Sequence, residues 1–286
     1  MKAEPDRPPA GRRGPPTALH HVETNNIRLR PSLLPSAAME SLILIANGPS
    51  HSTRSGLRAA YGDAVATRLT HAFTQDTLVA CASWRVTRAG ADLNRKLVLS
   101  VDARDATEPT GTTWSALADA AGARLDVREG NGGLLSLCAG EYERGARAVA
   151  VIGDTSPSLP TFLLDHAFRA LQFEPVVMGA TLDGHGWLLG AQRHARETMA
   201  GLHFHDITVD RLSAQSVPHL LPFWYRVDDA TDVARLGWHA RCLRSTDGTA
   251  MVHSWAALGA DGLVNDVEAR NDSPIGAPSG PRGHDT

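Results

Sequence analysis

The chain has 286 residues, 42% of them hydrophobic, and a formal net charge of −3, which fits one large domain or two small ones. This balance of charge gives no sign of a protein that binds nucleic acid or a membrane surface, and no apolar run approaches the roughly 20 residues that span a bilayer. Three widely separated cysteines form no CxxC pair, which indicates no disulfide framework or zinc ribbon and favours a reducing cytoplasm.

Composition predicts that both ends of the chain are poorly folded. Residues 1–38 combine repeated prolines with arginines, and residues 266–286 are polar and rich in glycine and proline. We therefore expect one catalytic domain over residues 39–265, between two disordered tails. Met39 stands directly before the first predicted strand and is a candidate for the true initiator.

The first predicted strand, residues 41–46, is followed by a polar loop that contains glycines. A loop of this kind can wrap phosphates with backbone N–H groups and a cation. This makes Asn47, Gly48, Pro49 and Arg54 candidate nucleotide-binding residues. The pattern then predicts a helix over 62–80, a strand over 97–101, a helix over 114–121, a short strand over 125–127 and a helix over 134–142.

Residues 146–190 carry the clearest pattern in the chain. A buried strand is predicted over 148–152, a helix over 161–171 and a second strand over 175–178. Strand, crossover helix and strand form the parallel βαβ unit, and ligands of open parallel sheets sit beyond the carboxyl ends of the strands. The loops that hold Asp154 and Asp183 both leave the predicted sheet at that edge.

Beyond residue 190 the pattern is weaker. Residues 192–200 have a helical pattern, residues 221–227 fit a last strand, and residues 228–232 open a helix that continues to 243. His203 and His205 lie on one face of an extended segment but have no evident third partner, so we assign them no metal site. The alternation of strands and helices predicts an α/β fold with a mainly parallel sheet covered by helices on both faces.

Four segments occur in an order that is characteristic of a known group. They are RSGL at 54–57, GDTSPSLP at 153–160, DGHGWLLG at 183–190 and RVDD at 226–229. Together they resemble the GT-A-like glycosyltransferases found beside radical-SAM and selenoprotein-type genes, some of them named for arsenosugar biosynthesis. That group is related to nucleotide-diphospho-sugar transferases and to molybdenum-cofactor guanylyltransferases. The resemblance covers residues 41–240 and implies a three-layer GT-A-like fold.

The resemblance also implies an activity and a set of site residues. The expected enzyme transfers a glycosyl group from a nucleotide-diphosphate sugar to a small-molecule acceptor, without nucleic-acid or membrane partners, and a homodimer is compatible with it. Mg²⁺ or Mn²⁺ held by Asp154 and Asp228 would absorb the charge of the leaving diphosphate. Asp183 would contact the acceptor or act as base, with His185 as a second candidate. Gly153 and Thr155 would lie beside the nucleotide.

Three polar positions depart from the family pattern. Thr155 holds the place of the metal-binding aspartate, and Asp154 stands one residue earlier, where an extended backbone points the side chain the other way. The basic loop keeps only Arg54 of its Lys-Thr-Arg, and Arg226 replaces the first aspartate of the late motif.

These departures leave other interpretations open. Asp154 and Asp228 could be helix caps, and Asp154 could also fix its loop through backbone N–H groups. Asp183 could form an Asx-turn, and His185 could be an exposed loop residue. At the level of function, nucleotidyl transfer is one alternative, and a catalytically lapsed member that binds or scaffolds is another.

Overall fold

The computed structural model describes residues 39–47, 55–86, 94–105, 113–130 and 132–264, all within the unit Ala37–Thr286. Its strands are β1 (Glu40–Ala46), β2 (Arg95–Asp102), β3 (Arg124–Arg128), β4 (Ala148–Gly153), β5 (Val176–Ala180), β6 (Gly186–Gln192) and β7 (His219–Leu221). Its helices are α1 (Ser55–Val86), α2 (Trp114–Ala121), α3 (Leu134–Glu143), α4 (Thr161–Ala170), α5 (Val209–Ser213), α6 (Ala230–Thr246) and α7 (Val252–Ala260). No helix in the described ranges is long and apolar enough to cross a membrane.

The strands form one sheet in the order β3-β2-β1-β4-β6-β5-β7. β1 lies at its centre and pairs in parallel with β2 and β4. Successive side chains of a strand point to opposite faces. Leu42 and Leu44 therefore pack against α1, α2 and α4, whereas Ile43 and Ile45 pack against α3. Helices thus cover both faces, which confirms the predicted α/β, three-layer GT-A-like architecture.

The predicted βαβ unit needs a correction. β4 and β5 run in the same direction, but they are not neighbours, because β6 lies between them and is antiparallel to both. Residues 186–192 are almost fully buried and return from β5 through a tight turn in which Gly184 has a φ of 84°. The outcome for the site is unchanged, since β4 and β5 still end at the same edge of the sheet.

Three further elements differ from the sequence prediction. The helix expected over 62–80 is longer, Ser55–Val86, and is interrupted at Gly62, whose φ is 77°. The strand expected over 221–227 is short, because only His219–Leu221 pairs with β5. The segment with a helical pattern over 192–200 forms a 3-10 helix, Arg193–Met199.

A third apolar cluster fixes the last two helices. Residues of α1, α6 and α7 pack together in it, with Phe73 and Leu236 fully buried. The carboxylate of Asp76 on α1 accepts hydrogen bonds from the backbone N–H groups of His253 and Ser254 at the start of α7, at 3.2 and 2.7 Å. A carboxylate at a helix N-terminus satisfies otherwise unpaired N–H groups and suits the helix dipole, which explains why α7 begins where it does.

Candidate functional site

The carboxylate of Asp154, directly after β4, ties three segments together at the carboxyl edge of the sheet. Its Oδ2 accepts from the Asn47 backbone N–H at 2.9 Å and from the Thr74 hydroxyl at 2.7 Å, and its Oδ1 accepts from Asn47 Nδ2 at 3.0 Å. The residue is fully buried, with 0% of its surface exposed. It therefore joins the end of β1 and the middle of α1 to the loop after β4.

This geometry bears on the metal ligation expected of Asp154. A buried carboxylate needs donors on its oxygens, and here protein N–H and O–H groups contact both oxygens. A metal ion would have to displace them. These hydrogen bonds fix the loop after β4, which is one of the roles that the sequence left open for Asp154. Metal ligation by Asp154 stays a prediction.

A first cavity of about 280 Å³ lies at the carboxyl ends of β1, β2 and β3. Its polar lining includes Asn47, Asp102, Arg128, His203 and His205. Burial lowers the pKa of Arg128, although neighbouring aspartates oppose that shift, and its Nε is buried without a hydrogen-bond acceptor among the described residues. The cavity therefore presents a guanidinium with unused donor capacity.

Asp102 gives the first cavity a fixed negative charge. Arg104 forms a two-pronged ion pair with it, since Nε and Nη2 each donate to a different carboxylate oxygen at 2.9 Å. These hydrogen bonds lower the pKa of Asp102 to about 2. The carboxylate is consequently ionised throughout the physiological range, and it can accept hydrogen bonds from hydroxyl groups but cannot act as an acid.

A second cavity, of about 590 Å³, brings together three of the predicted site residues: Asp183, His185 and Asp228. The Thr181 hydroxyl donates to Asp183 and holds the pKa of that carboxyl below its ordinary value, and His185 acts in the same direction. Asp183 is exposed, so an ionised carboxylate faces solvent beside an imidazole. Phe223, Trp224, Tyr225, Arg226, Asp229, Asp232 and Arg235 also line this cavity.

Asp228 has a cationic partner. Arg226 Nη2 donates to Asp228 Oδ1 at 3.3 Å, and Arg226 Nε lies 3.1 Å from Oδ2. The side chain of Arg226 is only 11% exposed, whereas that of Asp228 is 37% exposed. The neighbouring Asp229 caps α6 by accepting from Asp232 N at 3.0 Å, so the helix-capping role weighed for Asp228 belongs to Asp229.

Within the described ranges, no group of three or more His, Cys, Asp or Glu side chains is arranged to hold a metal ion. The two expected ligands are also engaged otherwise, since Asp154 is enclosed by protein donors and Asp228 is paired with Arg226. The described carboxylates thus do not fit a preformed Mg²⁺ or Mn²⁺ site.

The end of β4 and the loop after it contact the walls of the two cavities. At Gly153, a Cβ atom would lie 2.7 Å from Cε1 of Phe204, a wall of the first cavity. On the other side, Thr155 O accepts from Val227 N at 2.7 Å, and the Ser156 hydroxyl donates to Tyr225 O at 3.0 Å. Gly153 and Thr155, expected beside a nucleotide, are buried and shape the backbone between the cavities.

Three predicted nucleotide-binding residues, Gly48, Pro49 and Arg54, lie outside the described residues. The residues on either side of that stretch are described. Asn47 lines the first cavity. Gly56, at the start of α1, packs so closely on Asp228 that a Cβ atom would lie 2.6 Å from the Asp228 carbonyl oxygen.

Sequence reasoning did not identify Arg128 or the aromatic run of residues 223–225 as site residues. Arg128 and Asp102 each end a parallel strand, β3 and β2, and the rule that ligands bind beyond the carboxyl ends of such strands applies to both. Three consecutive aromatic side chains after a short edge strand carry no comparable rule, because burial in a core is the usual reason for such a run.

Comparison with known proteins supports the fold. A family model described as an uncharacterized protein conserved in bacteria, DUF2064, matches residues 87–206, which is less than half of the chain. A crystal structure from Desulfovibrio desulfuricans G20, provisionally assigned as a nucleotide-diphospho-sugar transferase, superposes with a TM-score of 0.58 at 17% sequence identity, over 80% of this chain and 97% of that one. This similarity shows a shared fold. No curated protein matches the chain.

Weaker structural similarity extends to Rv0371c from Mycobacterium tuberculosis H37Rv, with a TM-score of 0.44 at 17% identity, over 70% of this chain and 97% of that one. A complex of Rv0371c with manganese gives a TM-score of 0.42 at the same identity and over the same shares of the two chains. Neither comparison adds to the assignment of the fold.

Replacing Asp154 with asparagine tests its structural role. We expect D154N to lower the free energy of unfolding by about 2–3 kcal/mol. The amide places an N–H group where a carboxylate oxygen accepted a hydrogen bond, so a buried protein donor loses its acceptor. The measurement is urea denaturation without added metal. The matched control is D183N, which alters an exposed carboxylate and should change stability by no more than about 0.5 kcal/mol. Equal stability of D154N and the wild type would show that these hydrogen bonds do not hold the edge together.

The pairing of Asp102 with Arg104 predicts a particular acid sensitivity. The pKa of Asp102 in the folded protein, about 2, lies below the ordinary 3.8. The resulting stabilisation is complete above about pH 4 and is lost as pH falls toward 2. We expect R104A to weaken this loss, so that the difference in unfolding free energy between about pH 5 and about pH 3 becomes smaller. The control is R196A, which removes an ion pair with the exposed Glu197 and should leave that difference as in the wild type.

Proposed function

We propose that the protein is a nucleotide-dependent transferase, which binds a nucleotide-diphosphate sugar across the two cavities and passes the glycosyl group to a small-molecule acceptor. One observation carries this proposal: the end of β4 and the loop after it contact the walls of two polar cavities at the edge where ligands of such sheets bind. The fold shared with the Desulfovibrio desulfuricans protein, itself provisionally assigned as a nucleotide-diphospho-sugar transferase, supports the same class.

The first cavity suits the nucleoside end of the donor. Its volume of about 280 Å³ lies just below the range of about 300–1,000 Å³ for ligand pockets, which fits part of a donor rather than all of it. Asp102, ionised through its pairing with Arg104, would accept hydrogen bonds from ribose hydroxyls. Arg128 would donate to a phosphate or base oxygen, which would satisfy its buried Nε.

The second cavity suits the sugar and the acceptor. The acceptor hydroxyl would attack the anomeric carbon as the bond between that carbon and the diphosphate oxygen breaks. Asp183 would align the hydroxyl and receive its proton as the transition state forms. The Thr181 hydrogen bond lowers the pKa of Asp183, so Asp183 is ionised at neutral pH, and its main contribution is to align the hydroxyl and accept its proton only as the transition state forms. The aromatic side chains of residues 223–225 offer surfaces on which a sugar ring can pack.

The departing diphosphate needs positive charge near it. Among the described residues, Arg128 and Arg226 line the two cavities and could supply it. Gly48, Pro49 and Arg54 stay part of the proposal as a phosphate-wrapping loop, because the described residues on either side of them contact the site. The described carboxylates do not fit a divalent metal site, so the guanidinium groups are the cations proposed to face the diphosphate.

A second candidate is a lapsed enzyme that binds the nucleotide without turning it over. The specific observation in its favour is that both expected metal ligands are occupied, Asp154 by protein donors and Asp228 by Arg226. Nucleotide binding is common to the two candidates, so turnover separates them.

A panel of nucleotide sugars tests the binding step. We expect calorimetry to detect one-to-one binding of donors that share one nucleotide, among uridine, guanosine, cytidine and thymidine diphosphate sugars, each with and without Mg²⁺ or Mn²⁺. R128Q should weaken that binding at least about tenfold, through loss of a charge-assisted contact. Absence of binding across the whole panel would contradict both candidates. Binding of a nucleoside triphosphate with release of pyrophosphate would instead favour nucleotidyl transfer.

Turnover by aspartate and histidine variants tests the chemical step. We expect D183N to lower kcat by about 10²–10⁴-fold, as for loss of a general base, while donor affinity stays within about twofold. H185Q should lower kcat much less, because the imidazole only assists Asp183. Donor binding without detectable transfer by the wild-type protein, across sugar, peptide and small-alcohol acceptors, would support the lapsed candidate.

A further inference from the structure

A separate, basic cavity lies at the opposite, amino edge of the sheet. It has a volume of about 420 Å³, and its charged lining consists of Arg85, Arg95, Lys96, Arg124, Arg144 and one carboxylate, Glu141. β1 separates this edge from the carboxyl edge and has seven residues. At about 3.3 Å per residue the two edges are about 20 Å apart, so no small ligand contacts both.

Most of these cations have carboxylate partners nearby. Arg95 Nη2 contacts Asp165 at 2.7 Å, and Arg95 Nε lies 3.5 Å from Glu40. Arg124 and Arg144 both contact the buried Glu141. Arg147 also faces Glu40, so that the five cations of the cavity lining and Arg147 make six. These six cations face four carboxylates: Glu40, Asp126, Glu141 and Asp165. Among the described residues, positive charge is therefore in excess at this edge.

Donor capacity is also in excess there. The Nε atoms of Arg85 and Arg95 are buried and have no hydrogen-bond acceptor in the described part of the chain. Arg85 lies against Gly122 and donates weakly to Ala121 O at 3.5 Å, a carbonyl at the C-terminal end of α2, where a cation suits the helix dipole. That explains the position of the side chain but leaves its Nε unsatisfied, and a buried donor without a partner is destabilising.

The position of the Lys96 side chain is not explained by a helix dipole or by an ion pair among the described residues. It is exposed at the start of β2, lines the cavity, and forms no ion pair among the described residues. A lysine that projects into a cavity already rich in arginine adds repulsion unless an anion joins it.

We propose that the amino-edge cavity binds a small phosphate-bearing anion. Guanidinium groups pair with phosphate oxygens in a planar, two-pronged geometry, and an ammonium group adds a point charge. Such an anion would neutralise the excess charge and accept from the Arg85 Nε, which has no hydrogen-bond acceptor among the described residues. A concave site on a chain with a net charge of −3 fits a small anion rather than a nucleic acid. This inference does not depend on the proposed transferase function.

Titration calorimetry with inorganic phosphate and with pyrophosphate tests the proposal on the full-length protein. We expect a binding event that K96E weakens at least tenfold and R144A several-fold, and that is separate from any binding that R128Q weakens. The matched control is R169E, a charge reversal at an exposed arginine of α4 outside the cavity lining, which should leave binding within twofold. Lys96 is exposed and its replacement relieves repulsion, so K96E without ligand should unfold at a temperature no lower than that of the wild type, which would exclude misfolding.

Three outcomes would overturn the proposal. The first is no binding of either anion to the wild-type protein at millimolar concentration. The second is binding that R169E weakens as much as K96E does, which would mean general electrostatic attraction. The third is binding that K96E and R144A leave intact but R128Q abolishes, which would place the anion in the first cavity at the carboxyl edge. Failure in any of these ways leaves the nucleotide-sugar panel unaffected.

Discussion

The buried negative charge of Asp154 is the constraint on which the arrangement of the carboxyl edge depends. Removing a carboxylate from water is strongly unfavourable unless donors surround it, and its donors come from the end of β1 and the middle of α1. None of these segments can shift without exposing or unpairing the charge. Asp154 therefore fixes the position of Asn47, which lines the first cavity, relative to the loop that supports the second cavity. This arrangement exists before any ligand binds.

Much of the fold could be predicted because the local pattern determines it. Buried apolar runs and helical periodicity placed the first four strands and α2, α3 and α4 within two residues of their observed ends. The position of β6 was missed, because pairing between β4 and β5 is decided by contacts that a local pattern does not contain. One signal was present: Asp183-Gly184 is a dipeptide typical of hairpin turns, and it predicts that β5 turns back on itself.

The site was predictable to the extent that strand ends determine it. Asp183, His185 and Asp228 share a cavity because the loops at one edge of a sheet converge. The enclosure of Asp154 was not predictable, since the direction of a side chain just past a strand depends on where the pairing stops. The Arg226–Asp228 pair could have been anticipated, because residues two apart on an extended segment face the same side.

The intervening β6 determines how far apart the two acidic loops stand. Neighbouring strands are about 4.8 Å apart, so the ends of β4 and β5, with one strand between them, are separated by about 10 Å. A single phosphate group is too short to bridge that gap. A molecule that touches the end of β4 at Gly153 and the end of β5 at Ala180 together must therefore be longer than the spacing of two neighbouring strands.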